Sequence, residues 1–223
     1  FSDTYLIKEI AATGKPVIFS TGMHREEEIA KILEYHRLAG LPGRVAYMHC
    51  VSSYPTANRD VNLRYMHKLK ALTNAPVGYS GHERGIPITV AAVALGANII
   101  ERHFTLDRTQ AGPDHAASLE PHGLEPLIRH IRAVEEAMGD KKVMNQGEVM
   151  ARETLGKALT WAKDHVPARN VTCESFCATS PGYGIPVYKA NEYINEKYVV
   201  ARAGRQGEVV KEGDLRPVTG NSN

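Results

Sequence analysis

The sequence predicts an α/β fold, the C-terminal half of a (β/α)8 TIM barrel followed by a small β-rich domain. Three observations carry this. Four short apolar runs, at residues 16–20, 44–51, 76–79 and 98–104, have Gly or Pro nearby, and each is followed by apolar residues at helical spacing. These units recur every roughly 20 to 30 residues, the interval of strand–helix units that build a parallel sheet. After Gly139 the pattern changes to short apolar stretches separated by Pro, Gly and charge. That stretch is only about 60 residues long, too small on its own for most enzymes.

Taken in order, Tyr5, Leu6, Ile7, Ile10 and Ala11 read as a helix with no strand ahead of it. The chain is therefore expected to begin inside a fold: either the earlier βα units are absent or the sheet is an open one of four strands. Behind the first run, Glu26, Glu27 and Glu28 complement the partial positive charge of a helix N-terminus, and Ile29, Ile32 and Leu33 continue the helix toward Gly40. Leu63, Met66, Leu69 and Leu72 mark the helix behind the second run. Residues 88–95, rich in Ala and Val, form the third helix and stop at Gly96. Leu124, Leu127, Ile128, Ile131, Val134 and Met138 form a long stripe closed by Gly139. Residues 1–139 are thus expected to be a partial barrel. Residues 140–154, polar and irregular around Asn145, Gln146 and Gly147, read as a linker. Residues 155–217 form the second domain, and residues 218–223 a disordered tail.

Composition narrows the function. The 223 residues carry 27 Lys and Arg against 25 Asp and Glu, a formal charge of +2 with the basic residues scattered, which argues against nucleic acid as partner. No apolar run approaches the roughly 20 residues of a membrane helix, so no membrane is expected, and residues 1–10 have no signal-peptide character. Cys50, Cys173 and Cys177 form no CxxC pair, which predicts neither disulfides nor a thiolate zinc site and fits a reducing cytoplasm. Cys50 itself reads as a small buried hydrophobe.

In a barrel, polar residues at the C-terminal ends of strands point into the active-site mouth. Ser20 and Thr21; His49, Ser52, Ser53 and Tyr54; Ser80, His82 and Glu83; and Glu101, Arg102 and His103 occupy such positions. His82 and His103 close adjacent strands, so their imidazoles are candidates to share one divalent metal with positions left open for substrate. The run 105–119, with Asp107, Arg108, Asp114, His115 and Ser118, reads as a loop above the barrel, and Lys15 precedes the first strand.

The motifs GKPVIFSTGM (14–23), HCVSSYP (49–55), DVNLR (60–64), VGYSGHERG (77–85), AAVALGANIIERHFTLD (91–107) and DHAASLEP (114–121) resemble the N-acetylneuraminate synthase family, whose relatives make legionaminic and pseudaminic acids. Residues 155–217 resemble the antifreeze-like (SAF) domain that follows the barrel in that family. The resemblance implies a barrel in which His82 and His103 hold Mn2+ or Mg2+ and phosphoenolpyruvate condenses with an N-acetylated hexosamine. Lys15, Ser20, Ser52 and Ser80 would hold phosphoenolpyruvate, while Tyr54 and Asp114 would face the sugar. It also implies a domain-swapped homodimer, with residues 155–217 covering the neighbouring barrel. Ser52 stands where some members have Asn, and two departures stand out: the family's first four βα units, which supply further substrate contacts, are not in this sequence, and Ser180-Pro181-Gly182 replaces an Arg-Pro-Gly. The runner-up is a noncatalytic fragment or subunit acting as a carbohydrate-binding or interaction module.

Overall fold

The computed structural model describes residues 1–194 and 197–218, so the expected tail lies outside the described residues except for Val218, whose N–H donates to the Lys197 carbonyl. The chain divides into two units, Phe1–Asp140 and Lys141–Asn223.

In the first unit, β1 (Val17–Ser20), β2 (Val45–Cys50), β3 (Val77–Gly81) and β4 (Ile100–Arg102) form one four-stranded parallel sheet in that order. Around them run α1 (Thr4–Ala12), α2 (Glu26–Leu38), α3 (Tyr65–Thr73), α4 (Pro87–Ala94) and α5 (Pro121–Ala137). Parallel strands require crossovers, and the helix after each strand supplies one. The strand period of two sorts the side chains. Val17, Phe19, Val45, Tyr47, Val77, Tyr79 and Ile100 pack toward the helices with Ile7, Ile29, Met66, Leu69 and Ala92. The alternate residues, among them Ser20, Met48, Cys50, Gly78, Ser80 and Glu101, fall on the other face. Gly78 is needed there, because a Cβ would lie 2.3 Å from Met48 Sδ and 2.6 Å from the Ile99 carbonyl.

The structure departs from the sequence reading in three places. Leu72, Ile128 and Met138, expected on apolar stripes, are exposed, at 49%, 50% and 59%. The predicted loop 105–119 returns to the sheet: Leu119 N–H donates to the His103 carbonyl and Thr105 N–H to the Leu119 carbonyl, so Leu119 begins a fifth parallel position beside β4. The predicted linker contains α6 (Gln146–Leu155), because Asn145 caps it: its side chain accepts from Glu148 N–H at 2.9 Å, and the Glu148 carboxylate accepts from Asn145 N–H.

In the second unit, β5 (Ala158–Trp161) pairs antiparallel with β6 (Phe176–Thr179), and β7 (Tyr198–Val200) with β8 (Leu215–Pro217); α7 (Ala190–Tyr193) lies between. Leu159, Trp161, Val171, Ile185, Val200, Val210 and Leu215 make its core. The backbone contacts occur twice, as if by a twofold axis. Trp161 N–H donates to the Glu208 carbonyl and Val200 N–H to that of Arg169; Ala162 N–H donates to Ser175 and Ala201 N–H to Asp214. The axis passes between His165 and Gly204, whose N–H groups donate to each other's carbonyls at 2.8 and 3.0 Å.

Four histidines are buried, His36, His49, His82 and His165, and burial lowers the pKa of His36, His49 and His165. At His165, Lys163 and Arg169 add to the depression; the Ser175 backbone opposes it, but neither ring nitrogen makes a well-formed hydrogen bond. A lowered folded-state pKa means that the unfolded imidazole, near about 6.5, binds protons first. Stability is therefore complete above that pH and is lost as pH falls through it toward the folded values. Thermal unfolding by circular dichroism should show the midpoint dropping between pH 7.5 and 5.5, and a constant midpoint would contradict this account.

Candidate active site

The C-terminal strand ends bring three rings together. The His82 and His103 rings lie 5.0 Å apart between centroids and nearly perpendicular, and the Tyr54 ring lies 4.3 Å from His82 and 5.5 Å from His103. The placement follows from the strand alternation. His82 is two residues past Ser80 and His103 two past Glu101, so both continue the sheet's inner face. Tyr54 is delivered by the loop after β2. That loop is pinned by Thr56, whose N–H donates to the His82 carbonyl and whose hydroxyl donates to the Ser53 carbonyl at 2.6 Å.

His82 is 5% exposed, and its Nδ1 lies 2.8 Å from the Val51 carbonyl oxygen. A carbonyl only accepts, so Nδ1 carries the proton and Nε2 keeps a free lone pair, the arrangement that orients a metal-binding imidazole. The His103 ring makes no hydrogen bond among the described residues. Two imidazoles this close offer two nitrogen donors, a set that leaves open positions on a divalent ion. Among the described residues no three His, Cys, Asp or Glu side chains form a ready-made metal cage.

The serines lie at or just past the C-terminal ends of β1, β2 and β3. Ser80 is buried and its hydroxyl donates to Glu101 Oε1 at 2.7 Å. Ser52, half-buried, has its Oγ 3.9 Å from Cys50 Sγ. Gly22 permits this approach, since a Cβ there would lie 2.3 Å from Ser52 Oγ. Ser20 is exposed at the end of β1, in register with Met48. Asp114 is exposed on the loop 105–119, where its carbonyl accepts from the Ser118 hydroxyl; its carboxylate makes no hydrogen bond among the described residues.

Lys15 is not brought to this group. It precedes β1, so it lies at the N-terminal rim of the sheet, exposed, with its carbonyl accepting from Arg44 at 3.2 Å. The sequence reading placed it by nearness to a strand and ignored which end of the strand it occupies. His49, Glu83 and Arg102 also leave the candidate group. His49 turns to the helix side, where its Nε2 donates to the Val61 carbonyl at 2.7 Å, and Glu83 pairs with Arg102 in the interior.

Cys50 was missed as a site residue. It is half-buried on the inner face, with Sγ 3.9 Å from His82 Nδ1, and burial pushes its thiol pKa up, which keeps it protonated and neutral. Its register partner Ser80 was the available signal. A cleft of about 880 Å3 adjoins this region, lined by Thr21, His24, Cys50, Arg64 and Lys68, and the imidazole pair lies outside it.

A profile of the NeuB family matches residues 1–143. The chain is 42% identical over 163 residues to human N-acetylneuraminate-9-phosphate synthase, covering 72% of this chain and 45% of that protein. It is 36% identical over 208 residues to N,N'-diacetyllegionaminic acid synthase of Campylobacter jejuni, covering 92% and 62%. In structure it resembles the N-acetylneuraminic acid (sialic acid) synthetase of Leptospira borgpetersenii, crystallised with citrate, at a TM-score of 0.58 and 35% identity, over 68% of this chain and 54% of that one. The chain thus spans about half the length of the curated relatives it matches.

Proposed function

The chain belongs to the NeuB family, and from that premise we propose that it is part of an enzyme condensing phosphoenolpyruvate with an N-acetylated hexosamine, giving a sialic-acid-like nonulosonic acid and phosphate. The observation that carries the reading is the inner-face pair of imidazoles with the Nε2 of His82 left free. Relatives named as synthases of N-acetylneuraminate 9-phosphate, N,N'-diacetyllegionaminic acid and pseudaminic acid support it.

In this reading His82 and His103 hold Mn2+ or Mg2+. When bound, the ion polarises the aldehyde oxygen of the open-chain sugar. Carbon 3 of phosphoenolpyruvate forms the new bond to the aldehyde carbon, water adds at carbon 2, and the bond from carbon 2 to the ester oxygen breaks so that phosphate leaves. Ser20, Ser52 and Ser80 lie at or just past the ends of three adjacent strands; the hydroxyls of Ser20 and Ser52 are offered to the anionic substrate, and that of Ser80 turns to it from Glu101. Tyr54 and Asp114 face the sugar. Lys15 takes no part, given its position at the far rim. The second unit is an antifreeze-like domain that covers the neighbouring barrel in a cytoplasmic homodimer.

The deciding assay is phosphate release from phosphoenolpyruvate by the full-length protein with N-acetylmannosamine or the diacetamido hexoses. Release that requires a divalent ion and one of these sugars is expected; no release with any of them would overturn the assignment. A protein ending at Gly139 should in addition elute as a monomer in size-exclusion chromatography, whereas an intact dimer would remove the covering role from the second unit.

A further inference from the structure

We propose that the buried Glu83–Arg102 ion pair is a positioning device that sets the separation of His82 and His103. The proposal rests on the reading that those two imidazoles hold a divalent ion. Glu83 directly follows His82, and Arg102 directly precedes His103. The parallel ladder between β3 and β4 ends at the pair Gly81 and Arg102, one residue short of the rings. Beyond that point the ion pair takes over the connection. Arg102 Nη1 lies 2.9 Å from Glu83 Oε1, with side chains 3% and 0% exposed, and Nη2 donates to the Glu83 backbone carbonyl at 2.6 Å.

The carboxylate is fixed from two further sides. The Tyr79 hydroxyl donates to Glu83 Oε2 at 2.7 Å, and the Thr89 hydroxyl of α4 donates to Oε1 at 3.0 Å. Arg102 also donates to the Gly85 carbonyl, which fixes the turn leaving His82. Gly81 makes room for the assembly, since a Cβ there would lie 2.8 Å from Glu83 Oε2. Well-packed apolar residues often match a buried ion pair in stability, so what distinguishes this pair is its directional geometry. That geometry joins the two chain segments whose next residues are the imidazoles.

The test measures Mn2+ alone binding to the full chain, by the electron paramagnetic resonance signal of free Mn2+, beside thermal unfolding. Glu83→Gln keeps the size and removes the charge; Arg102→Lys keeps the charge and removes the fork. Each should weaken Mn2+ binding about 10-fold, the effect expected of groups that orient metal ligands. A core substitution elsewhere, Leu127→Ala, should lower the unfolding temperature and leave Mn2+ affinity within about twofold of the parent. Tyr79→Phe, which removes one neutral hydrogen bond to Glu83, should weaken binding about threefold and serves as the decisive variant if the charged changes do not fold. Folded Glu83→Gln, Arg102→Lys or Tyr79→Phe chains that bind Mn2+ like the parent would make the pair merely structural and overturn the proposal. Absence of Mn2+ binding by the parent and by His82→Ala alike would overturn the metal reading and the proposal with it.

Discussion

His82→Ala or His103→Ala in the full-length protein should abolish most turnover while the fold survives. The two rings sit together at the C-terminal strand ends, and His82 Nε2 is left free by the bond from Nδ1 to the Val51 carbonyl. Loss of either imidazole halves the set of protein donors and with it the ion's residence. An ion that polarises a carbonyl is worth several kcal/mol of barrier, and tenfold in rate corresponds to about 1.4 kcal/mol, so a fall of at least about 100-fold in kcat/KM is expected. Stability should fall far less. His82→Ala gives up one hydrogen bond, worth about 1 kcal/mol, and His103 is only partly buried. Metal content by mass spectrometry, activity and thermal unfolding measured on the same preparations decide the matter. A variant that keeps stoichiometric metal and normal turnover would make its histidine a packing residue.

Much of this site is legible in the sequence, because strand ends are local features. The runs ending near Ser80 and at His103 mark the two β-strands that lead to the imidazoles, and the period of two carries His82 and His103 to one face. The same period, applied consistently, also separates His49 and Arg102 from the group. Lys15 was misplaced because direction along the strand matters as much as proximity to it. The Glu83–Arg102 pair depends on two segments meeting across β3 and β4, and no local pattern encodes that meeting. Composition hid α6: its residues are polar and include Gly147, yet the Asn145 and Glu148 spacing of a capping box was present in the sequence. The twofold arrangement of the second unit escaped because Trp161 and Val200, like His165 and Gly204, occupy matching positions with dissimilar side chains.

That dissimilarity concentrates the stability of the second unit on one residue. Trp161 is 1% exposed, packs against His165 at 4.7 Å and Phe176 at 5.5 Å, and fills the space left by Gly204, where a Cβ would lie 2.1 Å from its Nε1. Trp161→Ala should cost about 3–5 kcal/mol, since neither Gly204 nor Val200 can extend into the cavity. A domain this small has a total stability of the same order, so the substitution should leave the unit largely unfolded at 37 °C. Gly204→Ala approaches the same core from the opposite side: overpacking against the indole should cost about 1–3 kcal/mol. Calorimetry of the full chain separates the outcomes, because the first unit has its own core around Tyr47, Leu69 and Tyr79 and should keep its transition. A Trp161→Ala chain whose calorimetric trace matches the parent's would show that the indole is not what holds the two halves of the second unit together.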